Sequence, residues 1–321
     1  MKAAIEYSKI QEFSEQSGIS LKKIFKLVEL LSLSESGIQN SELIRSTGLS
    51  KQSINLFEKA FTHFFNPNVN GIISFNIKGK DLYQTLKTHQ YINELKFSRD
   101  ELNFIEFALE QRPGAQRDFD QFYADLETPI KRAKYMSSNF DLQNKKVLFI
   151  GDDDFGSIVA AITKLPSQIT ALEIDKNLLN VIKKISEKNK LNIQTVEYDA
   201  LKKLEPKFYN AFDIVFIDPP YTESGVNLFL SRAIDALKQT NNCAKIYLNF
   251  GASDLARERY IGIQEIINKS GLYIRSINDN FSHYYGAESI GSHSTLYELE
   301  RTPKTKAMIS GSFSGKIYTN D

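Results

Sequence analysis

Three short runs in this sequence combine residue types and spacings that could do chemistry. The first is Gly151-Asp152-Asp153-Asp154, directly after the apolar run KVLFI. A nucleotide-binding turn at such a place is normally rich in glycine, so that the backbone can approach a phosphate. Here only Gly151 and, further on, Gly156 are glycines, and three carboxylates fill the gap. One aspartate could cap the following helix. Three in a row repel one another unless a cation neutralises them. The run therefore reads as a site for cationic groups, and it disfavours a pyrophosphate such as that of NAD or FAD. The second run is Glu173-Ile174-Asp175, at the end of ITALEID. An acid in this position holds the two hydroxyls of an adenosine ribose; Glu173 is the better candidate, and Asp175 could instead cap the helix NLLNVIKK. Asp199, closing IQTVEYD, is placed to meet adenine N6. The third run is Asp218-Pro219-Pro220-Tyr221-Thr222 after DIVFI. Two prolines stiffen this edge and remove its N–H donors. What is left is carbonyl oxygens and one carboxylate, suited to an amine that must lose a proton as it attacks. Tyr221 could flank a flat or cationic group. Together the runs describe adenosine on one side, an electrophile in the middle and a nucleophilic amine on the other: alkyl transfer from a sulfonium to nitrogen.

The elements that must position these runs alternate from Lys146 onward. KVLFIG, ITALEID, IQTVEYD, DIVFIDPPY, AKIYLNF, LYIRSIN and STLYELER read as strands, with amphipathic helices between most of them. Repeated βα units of this length imply a doubly wound, mostly parallel sheet. The layout predicted is α/β: a class I methyltransferase-like Rossmann domain with a seven-stranded sheet over residues 141–321, its last strand pair antiparallel. The ligand belongs at the C-terminal ends of the first, second and fourth strands. Residues 1–90 form a separate region. LKKIFKLVELLSLS has helical apolar spacing, and two further helices follow, started by Asn40 or Ser41 and by Ser50 and separated at Gly48. GIISFNIKGKDLYQTL then reads as strand, tight turn and helix, which together predict a winged helix. Residues 91–140 are a helical connector contributing to the active site, with Ser98 and Glu101 as a capping box.

Composition narrows the function further. Of the 321 residues, 41% are apolar and 25% charged, which excludes collagen-like, low-complexity and largely disordered chains. Forty basic residues stand against 39 acidic ones, so the chain is not a generally basic nucleic-acid coat. In residues 1–90 there are eleven Lys and Arg against eight Asp and Glu, and KQSINLFEKAFTHFF offers few groups to base edges. Packing is therefore favoured over DNA reading for the winged helix. Cys243 is the only cysteine, excluding an intrachain disulfide and a thiolate cluster. His63, His89, His283 and His293 form no tight ligand pair, so no metal is expected. With no apolar leader region and no run of about 18 apolar residues, the expectation is a cytoplasmic protein without a membrane partner.

The motifs themselves resemble a known family. Asp218-Pro219-Pro220-Tyr221 is similar to the amine-binding loop of amino-methyltransferases that alkylate exocyclic base amines. Asp120-Gln121, Gly-Asp-Asp-Asp at 151–154, the Glu-Ile-Asp from Glu173 and Asp-Pro-Pro-Tyr-Thr at 218–222 together resemble the branched-chain polyamine synthase family, over roughly residues 112–300. That resemblance implies transfer of aminopropyl groups from decarboxylated S-adenosylmethionine, a co-substrate rather than a prosthetic group, to the secondary amine of spermidine, with 5′-methylthioadenosine as by-product. It implies donor binding by Gly151, Asp152, Asp153, Glu173, Asp175 and Asp199. Acceptor binding falls to Asp120, Gln121, Pro219, Pro220, Tyr221 and Thr222. By analogy with linear aminopropyltransferases, Asp154 holds the aminopropyl ammonium and Asp218 aligns the attacking amine and takes its proton. Asp125-Leu126-Glu127-Thr128 departs from the family's Thr-Pro-Glu-Thr, and Glu173 stands where Asp is frequent. Two alternatives stay open on the residues alone: an amino-methyltransferase acting on nucleic acid, and a non-catalytic regulator that senses polyamine and binds DNA. A polyamine is the expected partner, nucleic acid is disfavoured, and a homodimer through the winged helix is admitted.

Overall fold

The computed structural model describes residues 2–89 and 91–319. The chain divides into two compact units. The first comprises Met1–Glu94 with Ser138–Phe140 and Thr240–Cys243; the second comprises Leu95–Ser137, Asp141–Gln239 and Ala244–Asp321.

The first unit opens with α1 (Lys2–Ser17), a helix to which the sequence reading assigned no element. Its apolar stripe is thin, since only Ala3, Tyr7 and Ile10 bury apolar side chains on it, joined by Ser14. Their spacing of three and four residues nonetheless makes one face. Then come α2 (Leu21–Leu33), β1 (Ile38–Gln39), α3 (Asn40–Thr47), α4 (Lys51–Ala60), β2 (Ile72–Ile73) and α5 (Ile77–Thr88). Gly48 ends α3 in the left-handed region at φ 65°, and the Ser50 hydroxyl caps α4 by accepting the Ser53 N–H. Helix α3 begins at Asn40 itself, so neither Asn40 nor Ser41 is its cap. The strand in GIISF pairs antiparallel with β1, and Ile72 also bridges Val69 across the Asn70-Gly71 turn that precedes it.

The second unit begins with α6 (Arg99–Glu110), whose Ser98–Glu101 capping box is formed, and α7 (Glu127–Ser138). The alternating region follows: β3 (Lys146–Ile150), α8 (Gly156–Ile162), β4 (Gln168–Glu173), α9 (Lys176–Asn189), β5 (Ile193–Glu197), β6 (Ile214–Ile217), α10 (Glu223–Ala236), β7 (Lys245–Phe250), α11 (Glu258–Lys269), β8 (Tyr273–His283) and β9 (His293–Glu300). These strands make one seven-stranded sheet in the order β5-β4-β3-β6-β7-β9-β8. Five strands are parallel, and β9 runs antiparallel to both β7 and β8.

Side chains alternate across the strands, so both faces of the sheet are covered. Leu148, Ile150, Val215, Ile217, Ile246 and Leu248 point to the α10 and α11 side, against Val226, Leu230, Ala233, Ile263 and Ile267. Val147, Phe149, Ile214, Phe216 and Tyr247 point the other way, against Met136 of α7 and Ala160 of α8. The strand order reverses between β3 and β6. In an open α/β sheet the crevice at such a reversal, beyond the strands' C-terminal ends, receives the ligand. The turn 151–154 follows β3, Glu173 ends β4 and Asp218 follows β6, so all three acidic runs meet there.

Candidate active site

A cavity of about 430 Å³ opens at this crevice. Gly151, Asp153, Glu173, Asp218, Pro219, Pro220 and Tyr221 line it, and Asp120 and Gln121 close it from the segment before α7. Four carboxylates thus share one cavity, with Arg117 and Arg259 also on its wall.

The three aspartates of the 151–154 turn separate into three jobs. Asp152 turns towards α8, where its Oδ1 accepts the Ser157 N–H at 3.1 Å. Burial, reinforced by nearby Glu173 and Asp154, pushes its carboxyl up to about 8 against the pull of the Ser157 bonds. Asp154 lies outside the lining and is only 3% exposed. Its Oδ1 accepts the Ala124 N–H at 2.6 Å and its Oδ2 receives Arg132 Nη1 at 2.6 Å. Asp153 alone faces the cavity, and its carboxylate accepts no hydrogen bond from the described residues. Burial and the neighbouring Asp154, Asp218 and Glu173 hold its carboxyl well above the usual range. Asp154, expected to meet the donor's ammonium, has both its oxygens on an arginine and a backbone amide, whereas Asp153 is the aspartate of this turn that faces the cavity.

Glu173 lines the cavity while buried to 3% exposure, with Oε2 on the Asp152 N–H and Oε1 on the Asp175 N–H, each at 2.8 Å. Burial raises its carboxyl. Three other expected ligand contacts are not brought to the cavity. Asp175 caps α9 through the Asn177 N–H and takes Gln116 and Gln121 on its other oxygen. Asp199 accepts the Leu201 N–H and lies off the lining. Thr222 caps α10 through the Gly225 N–H and donates to the Ile317 carbonyl. In each case a local backbone demand takes the side chain. Asp120 and Gln121 do reach the cavity; Asp120 sits at φ 53° and accepts the Thr319 N–H, and Gln121 Oε1 accepts the Gln116 N–H.

Asp218 is the most heavily coordinated acid. Its Oδ2 receives Arg132 Nη2 at 3.0 Å, Asn249 Nδ2 at 3.0 Å and the Tyr284 hydroxyl at 2.8 Å. Its Oδ1 receives the Tyr221 hydroxyl at 3.0 Å. Burial raises its carboxyl, with Arg132 pulling the other way. Arg132, on the buried face of α7, bridges Asp154 and Asp218 and also donates to Ser282 Oγ and the Tyr284 oxygen. Burial by itself would favour its neutral form, but Tyr284, Asp154 and Asp218 outweigh that and keep the guanidinium charged. Tyr221 and Tyr284 are pushed far up by burial and by Asp218, so both stay phenols.

Arg132, Asn249 and Tyr284 escaped the sequence reading. Arg132 carried a signal: in ETPIKRAKYMSS it falls on the stripe with Thr128, Pro129, Ala133 and Met136, where a surface arginine has no place. Asn249 is the polar residue next to last in the apolar strand β7 and could have been noticed in the same way. Tyr284 had none, since it follows β8 in an irregular segment. No cluster of three or more His, Cys, Asp or Glu among the described residues is arranged to hold a metal.

The profile described as the branched-chain polyamine synthase A C-terminal domain matches residues 101–317. The chain belongs to the branched-chain polyamine synthase family. Among curated relatives, the N(4)-bis(aminopropyl)spermidine synthase of Methanocaldococcus jannaschii is 36% identical over 191 residues, 59% of this chain and 54% of that protein. The enzyme of the same name from Thermococcus kodakarensis is 33% identical over 54% of this chain and 49% of its own length. The chain thus spans about half the length of the curated relatives it matches. The solved branched-chain polyamine synthase of Thermus thermophilus, in complex with N4-aminopropylspermidine and 5′-methylthioadenosine, superposes with a TM-score of 0.62 at 17% identity, covering 98% of both chains. This likeness extends the family's fold to the whole chain. Within the family match, the cavity residues from Arg117 to Ile290 all lie between its bounds, while Tyr318 and Thr319 lie just beyond. No helix among the described residues is long and apolar enough to cross a membrane.

Proposed function

We propose that the protein is an aminopropyltransferase. It moves aminopropyl groups from decarboxylated S-adenosylmethionine to an amine of a polyamine, the secondary amine of spermidine, yielding a branched-chain polyamine and 5′-methylthioadenosine. One observation carries this reading: the cavity at the sheet's reversal point holds four carboxylates, one of which, Asp153, accepts no hydrogen bond from the described residues. A half-buried carboxylate that desolvation and neighbouring acids disfavour is relieved when the ligand supplies the opposite charge. Decarboxylated S-adenosylmethionine ends in an ammonium and spermidine carries several, so both supply it. S-adenosylmethionine would bring a carboxylate against Asp153 and is disfavoured. Membership of the family and the names of its curated relatives support the same activity.

In this reading Glu173 holds the ribose hydroxyls of the donor, as an acid at the end of the second strand does in Rossmann folds. Asp153 takes the donor's aminopropyl ammonium and brings the carbon next to sulfur towards Asp218. Asp120 and the Pro219-Pro220 carbonyl edge hold the acceptor. The acceptor nitrogen attacks as a neutral amine, its electron pair forming the N–C bond while the C–S pair returns to sulfur. The charge on the sulfonium disappears as this happens, and the buried acids stabilise the positive charge that moves to nitrogen. The first unit is read as a winged helix serving packing, the protein as cytoplasmic, and a homodimer as its assembly.

The test is direct. Purified protein is incubated with spermidine, putrescine or spermine and with either S-adenosylmethionine or its decarboxylated form. The expected result is 5′-methylthioadenosine and an acceptor heavier by aminopropyl units, only with the decarboxylated donor. Absence of any aminopropylated product from all three acceptors overturns the proposal.

A further inference from the structure

The two oxygens of Asp218 are not equivalent, and the difference identifies a proton path. Oδ2 already receives three donors, from Arg132, Asn249 and Tyr284. A carboxylate oxygen has about two lone-pair sites, so no room remains there for a fourth hydrogen. Oδ1 receives one donor, the Tyr221 hydroxyl at 3.0 Å. Tyr221 lines the cavity and is partly accessible from it. A proton leaving a bound amine for Asp218 can thus arrive only at Oδ1, and the hydroxyl of Tyr221 stands on that oxygen.

The phenol is held firmly in place. Its ring packs on Phe250 with centroids 5.4 Å apart. Arg259 donates to its backbone carbonyl, and the preceding Pro219-Pro220 pair restricts the chain on the other side. The neighbouring Tyr284 oxygen, 3.1 Å away, already accepts from Arg132 and sits next to Ser294 Oγ. The Tyr221 proton is therefore directed to Asp218.

We propose that Tyr221 is a catalytic residue that relays the acceptor amine's proton to Asp218 Oδ1. The inference rests on the aminopropyl-transfer reading above. As the N–C bond forms and the C–S bond breaks, releasing a neutral thioether, the new nitrogen cation gives its proton to the Tyr221 oxygen. The phenolic proton passes in the same step to Asp218 Oδ1. Tyr221 ends as a phenol, Asp218 as a carboxylic acid and the product nitrogen as a neutral amine, so charge and protons balance without any further reactant. Tyrosinate never accumulates, which suits a phenol whose ionisation this site opposes.

The test is a single-turnover measurement of 5′-methylthioadenosine formation from prebound decarboxylated S-adenosylmethionine and spermidine. Tyr221→Phe keeps the ring and its packing. The expected fall in the chemical rate is about 10²- to 10⁴-fold, with spermidine affinity changed by less than about threefold. For the unaltered protein, rates in mixtures of H₂O and D₂O should curve downward, the signature of two protons in flight; in Tyr221→Phe the plot should be linear. A variant rate within about threefold of the parent, or a linear plot for the parent itself, overturns the relay. If the parent makes no 5′-methylthioadenosine from any polyamine, the underlying reading has failed instead, and the two failures are told apart by that control.

Discussion

Arg132 is the residue whose removal should be felt most. It is 4% exposed and its guanidinium stands 2.6 Å from Asp154 and 3.0 Å from Asp218. Arg132→Met keeps the stem on the α7 stripe but deletes the charge, leaving two buried carboxylates without their cation. Breaking one buried ion pair from one side costs about 3–5 kcal/mol. The two carboxylates share a single cation, so that range rather than its double is the estimate for the pair. For a unit of this size it corresponds to a fall in Tm of roughly 6–20 °C. The loss must also depend on pH. Without Arg132 the folded pKa of Asp218, already raised by burial, rises further above its unfolded value. The folded variant then binds more protons than the unfolded chain, so its stability falls as pH rises and recovers as pH drops towards the unfolded value of about 4. Calorimetric melts of parent and variant at pH 5 and pH 8 check this. The gap should be widest at pH 8 and should narrow at pH 5. Adding Asp154→Asn should recover part of the loss, because one of the two stranded charges is then gone. A gap below about 1 kcal/mol at pH 8, or one that does not change with pH, refutes the claim that Arg132 is the counter-charge of both acids.

Two further outcomes follow from the same geometry. Asp153→Asn should raise the KM for decarboxylated S-adenosylmethionine at least about tenfold with little change in Tm, whereas Asp154→Asn should lower Tm through the lost Arg132 and Ala124 bonds; steady-state kinetics with melts separates them, and the reverse pattern would restore Asp154 as the donor's contact. Polyamine binding should release protons, because the cavity acids Asp153, Glu173 and Asp218 all have raised pKa values that an incoming cation lowers; titration calorimetry in phosphate and in Tris at pH 7 should differ in heat, affinity should increase from pH 6 to pH 8, and equal heats in the two buffers would contradict it.

Much of the fold was legible because its signals are local and repeated. All seven strands of the sheet overlap segments that read as strands in the sequence, although β8 runs on from LYIRSIN to His283, and the turns after β3, β4 and β6 follow from them. Helix α1 was missed because its buried face is four residues wide and one of them is a serine. The site was legible only to the level of the turn. A run such as Asp152-Asp153-Asp154 announces acids at a strand end, but not which of them faces the ligand. That choice is made by their partners: the Ser157 N–H in the next helix for Asp152, and Arg132 and Ala124, more than twenty residues away, for Asp154. Asp175, Asp199 and Thr222 look like ligand contacts in the sequence for the reason that makes them caps, since short polar side chains at strand ends answer both demands. Tyr284 depends on β8 running on to His283 and on the chain bridging back to Ala124, a pairing no local pattern encodes.

The chain's near-neutral balance and its acidic cavity are consistent once the partners are counted. Arg132 compensates Asp154 and Asp218 together, and backbone amides hold Glu173, so these acids are held by the fold itself. Asp153 is the exception: burial and three neighbouring acids act on it, Arg132 offsets them only in part, and no donor among the described residues hydrogen-bonds it. A structural network would have closed that gap with a lysine or arginine, as Lys245 of β7 does between Asp141 and Glu298 of β9. Here the position facing Asp153 is open cavity. The missing charge must then come from whatever binds, and a ligand whose own cation completes the arrangement is recognised by the same contact that stabilises it. Under the proposed function, the cationic end of the donor would complete the site, and a donor that retains its carboxylate would be disfavoured by Asp153 without any additional residue, because the two like charges would face each other in the cavity.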